Sequence, residues 1–343
     1  MISKKGYTLV KVNHTKRWDY KLSCKPLYSR HEILTMIPIK YNEMKQISYL
    51  GLILLSLTIS CQPKQSSIDY FGQTPPGMTP KIFAPKIICL DDRFEARGTF
   101  SPDGKAFYFT ITNSDFTSQK IFYTEFNEGR WSKPDTASFS KKYNNHEPSI
   151  SYDGQKLYFS SDRAKDTLKN RRDLFVVEKH DGNWSEPIKL KSPINSDYNE
   201  LAFNQSKNGT IYFTSNRPGG IGEWDIYFAK SVNGVYDNVE NIGSPINQVF
   251  AADPCIAPDE SYLIFAAGRA DGNGGSDIYI SFKENNKWTE PKNMGNSINT
   301  AANEYGPFLS PDNKYLFFVR HDGKKGDIYW VDLNIVNNFR PKI

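Results

Sequence analysis

The chain has 343 residues, 38% of them hydrophobic and 14% aromatic, with 23 glycines and 20 prolines, a balance that suits a folded all-β domain. Its formal charge of +5 is concentrated at one end. Residues 1–60 hold ten Lys/Arg against three Asp/Glu, which leaves −2 on the remainder and no basic patch of the kind a nucleic-acid partner requires.

In chain order, residues 1–43 are polar and basic and carry no repeat, so they read as an unstructured extension from an upstream start codon. Met44 is the better start for a secreted chain. Residues 44–60 contain the apolar run Ile47–Ile59, preceded by Lys45 and followed by Ser60-Cys61. The run is shorter than the roughly twenty residues a helix needs to cross a bilayer, and it has the basic start and small final residue of a secretory signal. Leu57-Thr-Ile-Ser-Cys61 resembles a bacterial lipobox, which implies acylation of Cys61 and a lipid-anchored chain in the cell envelope, at the outer membrane and facing periplasm or surface. Residues 61–82, rich in Gln, Pro, Ser and Gly, read as a flexible tether to a domain over 83–343.

From Glu95 to Asp332 one pattern of about fifty residues recurs five times. Each copy opens on ten residues ending in a turn, as in Glu95 to Gly104, Asn145 to Gly154, Glu200 to Gly209, Ala251 to Glu260 and Glu304 to Asn313. An apolar triplet follows: Phe107-Tyr-Phe109, Leu157-Tyr-Phe159, Ile211-Tyr-Phe213, Leu263-Ile-Phe265 and Leu316-Phe-Phe318. Next comes an Asp-Ile-Tyr element beginning at Asp173, Asp225, Asp277 and Asp327, with Lys120-Ile-Phe122 as its first, degenerate form. Trp131, Trp184 and Trp288, each three residues before a proline, open the last strand in three copies. Four short strands per period, joined by Asp-Gly and Asn-Gly turns, predict an all-β fold, a β-propeller of five four-stranded blades. The fifth copy has no room for an outer strand. Phe83–Leu90 is expected to supply it and close the ring; Phe339–Ile343 is the other candidate.

In phase with these elements lie Ser161-Asp-Arg163, Ser215-Asn-Arg217-Pro-Gly-Gly220 and Ala267-Gly-Arg269. Together they resemble the WD40-like repeat of the TolB-type propellers, over about residues 83–336. The resemblance implies a non-enzymatic envelope module that binds protein or cell-wall partners. TolB's additional N-terminal domain is absent, so its role in the Tol system does not carry over.

Every copy places one carboxylate near the start of its first strand: Glu95, Glu147, Glu200, Asp253 and Glu304. Paired carboxylates cleave glycosides, and five-bladed propellers host several glycosidase families, so a glycan-cleaving enzyme is the alternative reading. A residue repeated in every blade is architectural by default, however, and these acids are expected to be tied to arginines and backbone N–H groups. The face carrying the loops between second and third strands is the expected binding face. The binding candidates are Arg97, His146, Arg163, Arg217, Trp224, Arg269 and Tyr305. The expected partner is an envelope protein or a cell-wall glycan; a structural subunit of an envelope complex is the third reading. Cys24, Cys89 and Cys255 have neither metal-ligand spacing nor a disulfide framework, and no cofactor or metal is expected.

Overall fold

The computed structural model describes residues 68–163, 171–232 and 234–341, all within the compact unit Ser66–Ile343. The extension 1–43, the signal segment 44–60 and Cys61 lie outside the described residues. No helix among the described residues is long and apolar enough to cross a membrane.

Strand pairing gives five antiparallel modules in sequence order, each built as first, second and third strand with a short outer piece. Their first strands are Phe94–Phe100, Asn145–Ile150, Glu200–Gln205, Ala251–Ile256 and Asn303–Leu309. Each of these contacts the first strand of the next module, and Asn303–Leu309 contacts Phe94–Phe100, so the series runs back on itself as a β-propeller. Where Trp-x-x-Pro occurs, the proline splits the outer strand in two, as in Arg130–Trp131 and Asp135–Thr136.

The apolar triplet shows how a period of two builds the core. In the second module, Leu157 and Phe159 pack into the cluster shared with the first blade, while Tyr158 packs into the cluster shared with the third. The rule repeats around the molecule. Ile211 and Phe213 face back and Tyr212 faces forward; Leu263 and Phe265 face back and Ile264 faces forward. Five hydrophobic clusters therefore fill five blade interfaces, the last lying between the fifth blade and the first, with Phe317 and Trp330 against Phe100 and Phe107.

The fifth blade takes its outer strand from the N-terminal side, but not from the expected residues. Lys81–Ile82 pairs antiparallel with Gly326–Asp332, Lys81 opposite Trp330. Phe83 N–H extends this pairing to Ile328 O at 2.8 Å, and residues 84–90 leave it as a loop, with Ala84 and Lys86 at positive φ. The fully buried Phe83 meets Phe100 and Phe107 of the first blade and Phe317 and Trp330 of the last, at ring separations of 5.0–6.0 Å. A Phe94–Gly326 parallel bridge joins the two blades into one nine-stranded sheet. Of the C-terminal candidate Phe339–Ile343, Phe339 ends a 3-10 helix, Leu333–Phe339, capped by Asp332, and residues 342–343 lie outside the described residues.

The tether expected over 61–82 is corrected from residue 68 onward. Tyr70 is buried and donates to Asp312 Oδ1 at 2.9 Å, and Phe71 stacks on Trp131 at 4.2 Å. Aromatic side chains in an otherwise polar segment are what bind it to the blades. Replacing Phe83 with Ala should cost about 3–5 kcal/mol in urea unfolding, the range for truncating a buried aromatic. A loss below about 1 kcal/mol would mean that the seam holds without its central ring.

Candidate functional site

Every first strand breaks register just after its second position, resuming at the fourth in the first blade and at the fifth in the others: Ala96/Gly98, His146/Ser149, Leu201/Asn204, Ala252/Cys255 and Tyr305/Phe308. The third position sits in the bulge, and four of the five have positive φ: Glu147 at 56°, Ala202 at 54°, Asp253 at 54° and Gly306 at 60°. This turns their N–H groups sideways to the preceding blade. Glu147 N–H donates to Thr110 Oγ1 at 3.0 Å, Ala202 to Glu147 Oε2 at 2.7 Å, Asp253 to Thr214 Oγ1 at 3.0 Å and Gly306 to Asp253 Oδ2 at 3.0 Å. A Cβ at Gly306 would lie 3.1 Å from that of Arg97, tighter than an ordinary contact.

The five repeated acids separate into two groups. Glu95, Glu200 and Glu304 occupy the first position, are fully buried, and are each held by an arginine. Arg217 binds Glu200 at 3.0 Å, Arg320 binds Glu304 at 2.7 Å, and Arg93 binds Glu95. Ser196 and Thr300 add backbone and hydroxyl donors to Glu200 and Glu304. Burial still raises the Glu200 carboxyl above its ordinary value and pushes Glu95 up to about 7.

Arg163, Arg217 and Arg269, expected to bind a partner, each make contacts within the fold. Arg163 lies over Tyr143, Phe159 and Phe175 and donates to Asn145 Oδ1 and Phe139 O. Arg217 lies over Phe213 and Tyr227 and holds the carbonyls of Pro193 and Ile194. Arg269 lies over Tyr279 and reaches Pro245 O and Gln248 Oε1. Each ties its own blade to the link that enters it. Arg320 does the same in the fifth blade, from two positions earlier in the strand, which is why the repeat conceals it.

Glu147 and Asp253, at the third position, form the second group and surround the axis with Arg97. Of the binding candidates, Arg97 and His146 are buried, at 1% and 3% exposure. The bulge aims Arg97 across the axis to the carbonyls of Phe203 and Pro254, at 3.5 and 3.3 Å. His146 Nδ1 lies 3.3 Å from Glu147 Oε2, and burial depresses the imidazole against the opposing pull of Glu147. Burial works to raise Glu147, but His146, Arg97 and the Ala202 N–H outweigh it and hold the carboxyl low. Burial and the Glu147 charge push Asp253 up to about 7. Tyr305 is half-buried beside them; burial and the charges of Asp253 and Glu147 raise its hydroxyl. Below this group is a cavity of about 110 Å³ walled by all five first strands, including Arg97, Ser149, Asn204, Cys255 and Phe308.

On the loop face a groove of about 350 Å³ runs between Phe116 and Trp224, with Asn144, Asp162, Arg172 and Asn199 between them. Its polar groups are positioned by one another. Asn144 N and Nδ2 donate to Asp162 Oδ1 and Oδ2 at 3.0 and 2.9 Å, and Arg172 N donates to Asn199 Oδ1 at 2.9 Å. Of the binding candidates, Trp224 alone lines this groove. Phe116 belongs to the first blade's loop between its second and third strands, whose sequence lacks the arginine of the second, third and fourth copies, so the repeat gave no signal for it.

No family model matches the sequence, and no curated protein matches it. Among solved structures the chain is similar to a TolB candidate from Agrobacterium tumefaciens, at 16% identity and a TM-score of 0.45, covering 67% of this chain and 71% of that one. It is similar to a glycoside hydrolase candidate from Parabacteroides distasonis at 11% identity and 0.45, covering 77% and 94%. An α-L-arabinofuranosidase from Lactobacillus brevis is at 13% and 0.43, covering 67% and 83%.

The Asp253 carboxyl has a pH signature. A carboxyl raised from about 4 in the unfolded chain to about 7 in the fold contributes stability below pH 4 that is lost as pH rises through 7. Asp253→Asn removes that loss. Its melting temperature relative to wild type should therefore be higher at pH 7.5 than at pH 4.5. A difference independent of pH would show that Asp253 ionises normally.

Proposed function

We propose that this chain is a non-catalytic, lipid-anchored module of the bacterial cell envelope that captures a glycan in the loop-face groove. The observation that carries this reading is the groove itself. Two aromatic side chains flank the Arg172 side chain and a row of amide and carboxylate groups already fixed by hydrogen bonds, which is the equipment for stacking on sugar rings and bonding their hydroxyls. The commitment of the acids also supports it, since Glu95, Glu200 and Glu304 are buried against arginines. The anchor rests on the sequence around Cys61. Labelling with a palmitate analogue should tag the wild type and not Cys61→Ser; equal labelling would remove the anchor from the proposal.

Trp224→Ala should weaken binding to a polysaccharide or peptidoglycan panel at least tenfold, about 1.4 kcal/mol, while costing less than about 1 kcal/mol of stability. Wild-type protein that binds no glycan but captures an envelope protein would move the assignment to a protein partner. Glycan cleavage has one observation in its favour. Glu147 is held low and its neighbour Asp253 is pushed up to about 7, the unequal protonation an acid and a nucleophile need. Turnover of any panel member that is lost in both Glu147→Gln and Asp253→Asn would establish that reading instead.

A further inference from the structure

Away from the axis and the groove, three donor side chains meet at the seam between the first and last blades. Cys89 comes from the loop after the closing strand, Glu95 from the first strand of the first blade, and Asp327 from the third strand of the last blade. One donor atom from each lies within 4.8 Å of the other two. That spacing suits ligands around one small ion, for which metal–sulfur and metal–oxygen bonds of about 2.3 and 2.0–2.2 Å are usual. All three residues are buried, at 4%, 0% and 3% exposure.

A second observation points to a missing occupant. Glu95 Oε2 and Asp327 Oδ1 are buried with no hydrogen-bond partner among the described residues. The other oxygen of each is held by a cation: Arg93 binds Glu95 Oε1, and Lys325 Nζ lies 3.0 Å from Asp327 Oδ2. Each carboxylate is thus oriented from behind with one oxygen left bare, as outer hydrogen bonds orient metal ligands. The Ile328 N–H donates to Cys89 Sγ at 3.3 Å, and the thiol donates to Ile328 O at 3.7 Å, which fixes the sulfur between the two carboxylates' blades.

We propose that Cys89, Glu95 and Asp327 form a binding site for a divalent transition-metal ion of the zinc class, which fastens the closing segment to both blades it joins. One thiolate with two carboxylates is a mixed soft and hard donor set, suited to zinc, cobalt or iron(II) and poorly to magnesium or calcium. Binding releases the thiol proton, together with any proton on Glu95. Arg93 and Lys325 already balance the two carboxylates, so thiolate and ion together add one positive charge, which Asp91, 3.3 Å from Lys325 Nζ, offsets.

The test is titration of the metal-free full chain, in detergent, with cobalt(II). One equivalent should bind with a near-ultraviolet thiolate-to-cobalt band that vanishes in Cys89→Ser and survives in Cys255→Ser. Zinc should raise the melting temperature of the wild type and leave that of Cys89→Ser unchanged. Asp327→Asn keeps the thiol and should weaken cobalt affinity tenfold or more, which serves if Cys89→Ser does not fold. The proposal is overturned if the wild type gives no thiolate band, if the band persists without Cys89 (Cys24 or Cys61 then being its source), or if Asp327→Asn binds as tightly as wild type.

Discussion

The pleat of the second strand in each blade is the constraint on which the rest of this molecule depends. Because successive side chains leave opposite faces, one triplet supplies two residues to the interface behind it and one to the interface ahead. Leu157 and Phe159 serve the first interface while Tyr158 serves the second, and the same division recurs in every blade. No blade can bury its own faces, so each depends on both neighbours. The fifth interface borrows residues from upstream to fill it, among them Tyr70, Phe83 and Ile88.

The bulge in each first strand converts this scaffold into a site. It carries the third-position residue out of the sheet ladder and aims its N–H at the blade behind. Where that blade offers Thr110 or Thr214, the bond is to a hydroxyl. Where the fourth blade has Ala266 in the corresponding place, Asp253 substitutes its own carboxylate and receives Gly306 N–H. Asp253 is thus partly structural by necessity, and its raised pKa follows from being buried in that task next to Glu147. The axial acids and the first-position acids share a motif but have different physical roles.

The period, the blade order and the turn positions were legible in the sequence because each blade spends the same residues on them: Phe-Tyr-Phe on packing, Asp-Ile-Tyr on pinning the loop before the third strand. Asp225, for instance, accepts from Ile221 N and Gly222 N. Solitary features were not legible. Lys81–Ile82 is two residues long and has no periodicity to read. Arg93 and Arg320 reach their glutamates from out-of-phase positions. Arg97 and His146 interrupt the repeat, and nothing in the pattern signals that both side chains are buried. The groove draws on three blades, and proximity between Phe116 and Trp224 cannot be inferred from a pattern that treats each blade alone.

The pairing of Lys81 with Trp330 also bears on how the molecule is made. The strand that completes the last blade leaves the ribosome before any blade exists, and its partner emerges almost last. Tyr70 must likewise await Asp312, 242 positions downstream. Local hairpins can form during synthesis, but these contacts close the longest loop in the domain and come late, when loop-closure entropy is greatest. Until then the third strand of the final blade keeps an open edge and the aromatic faces around Phe317 stay wet, so this is the interval in which a nascent chain is most prone to pair with another copy.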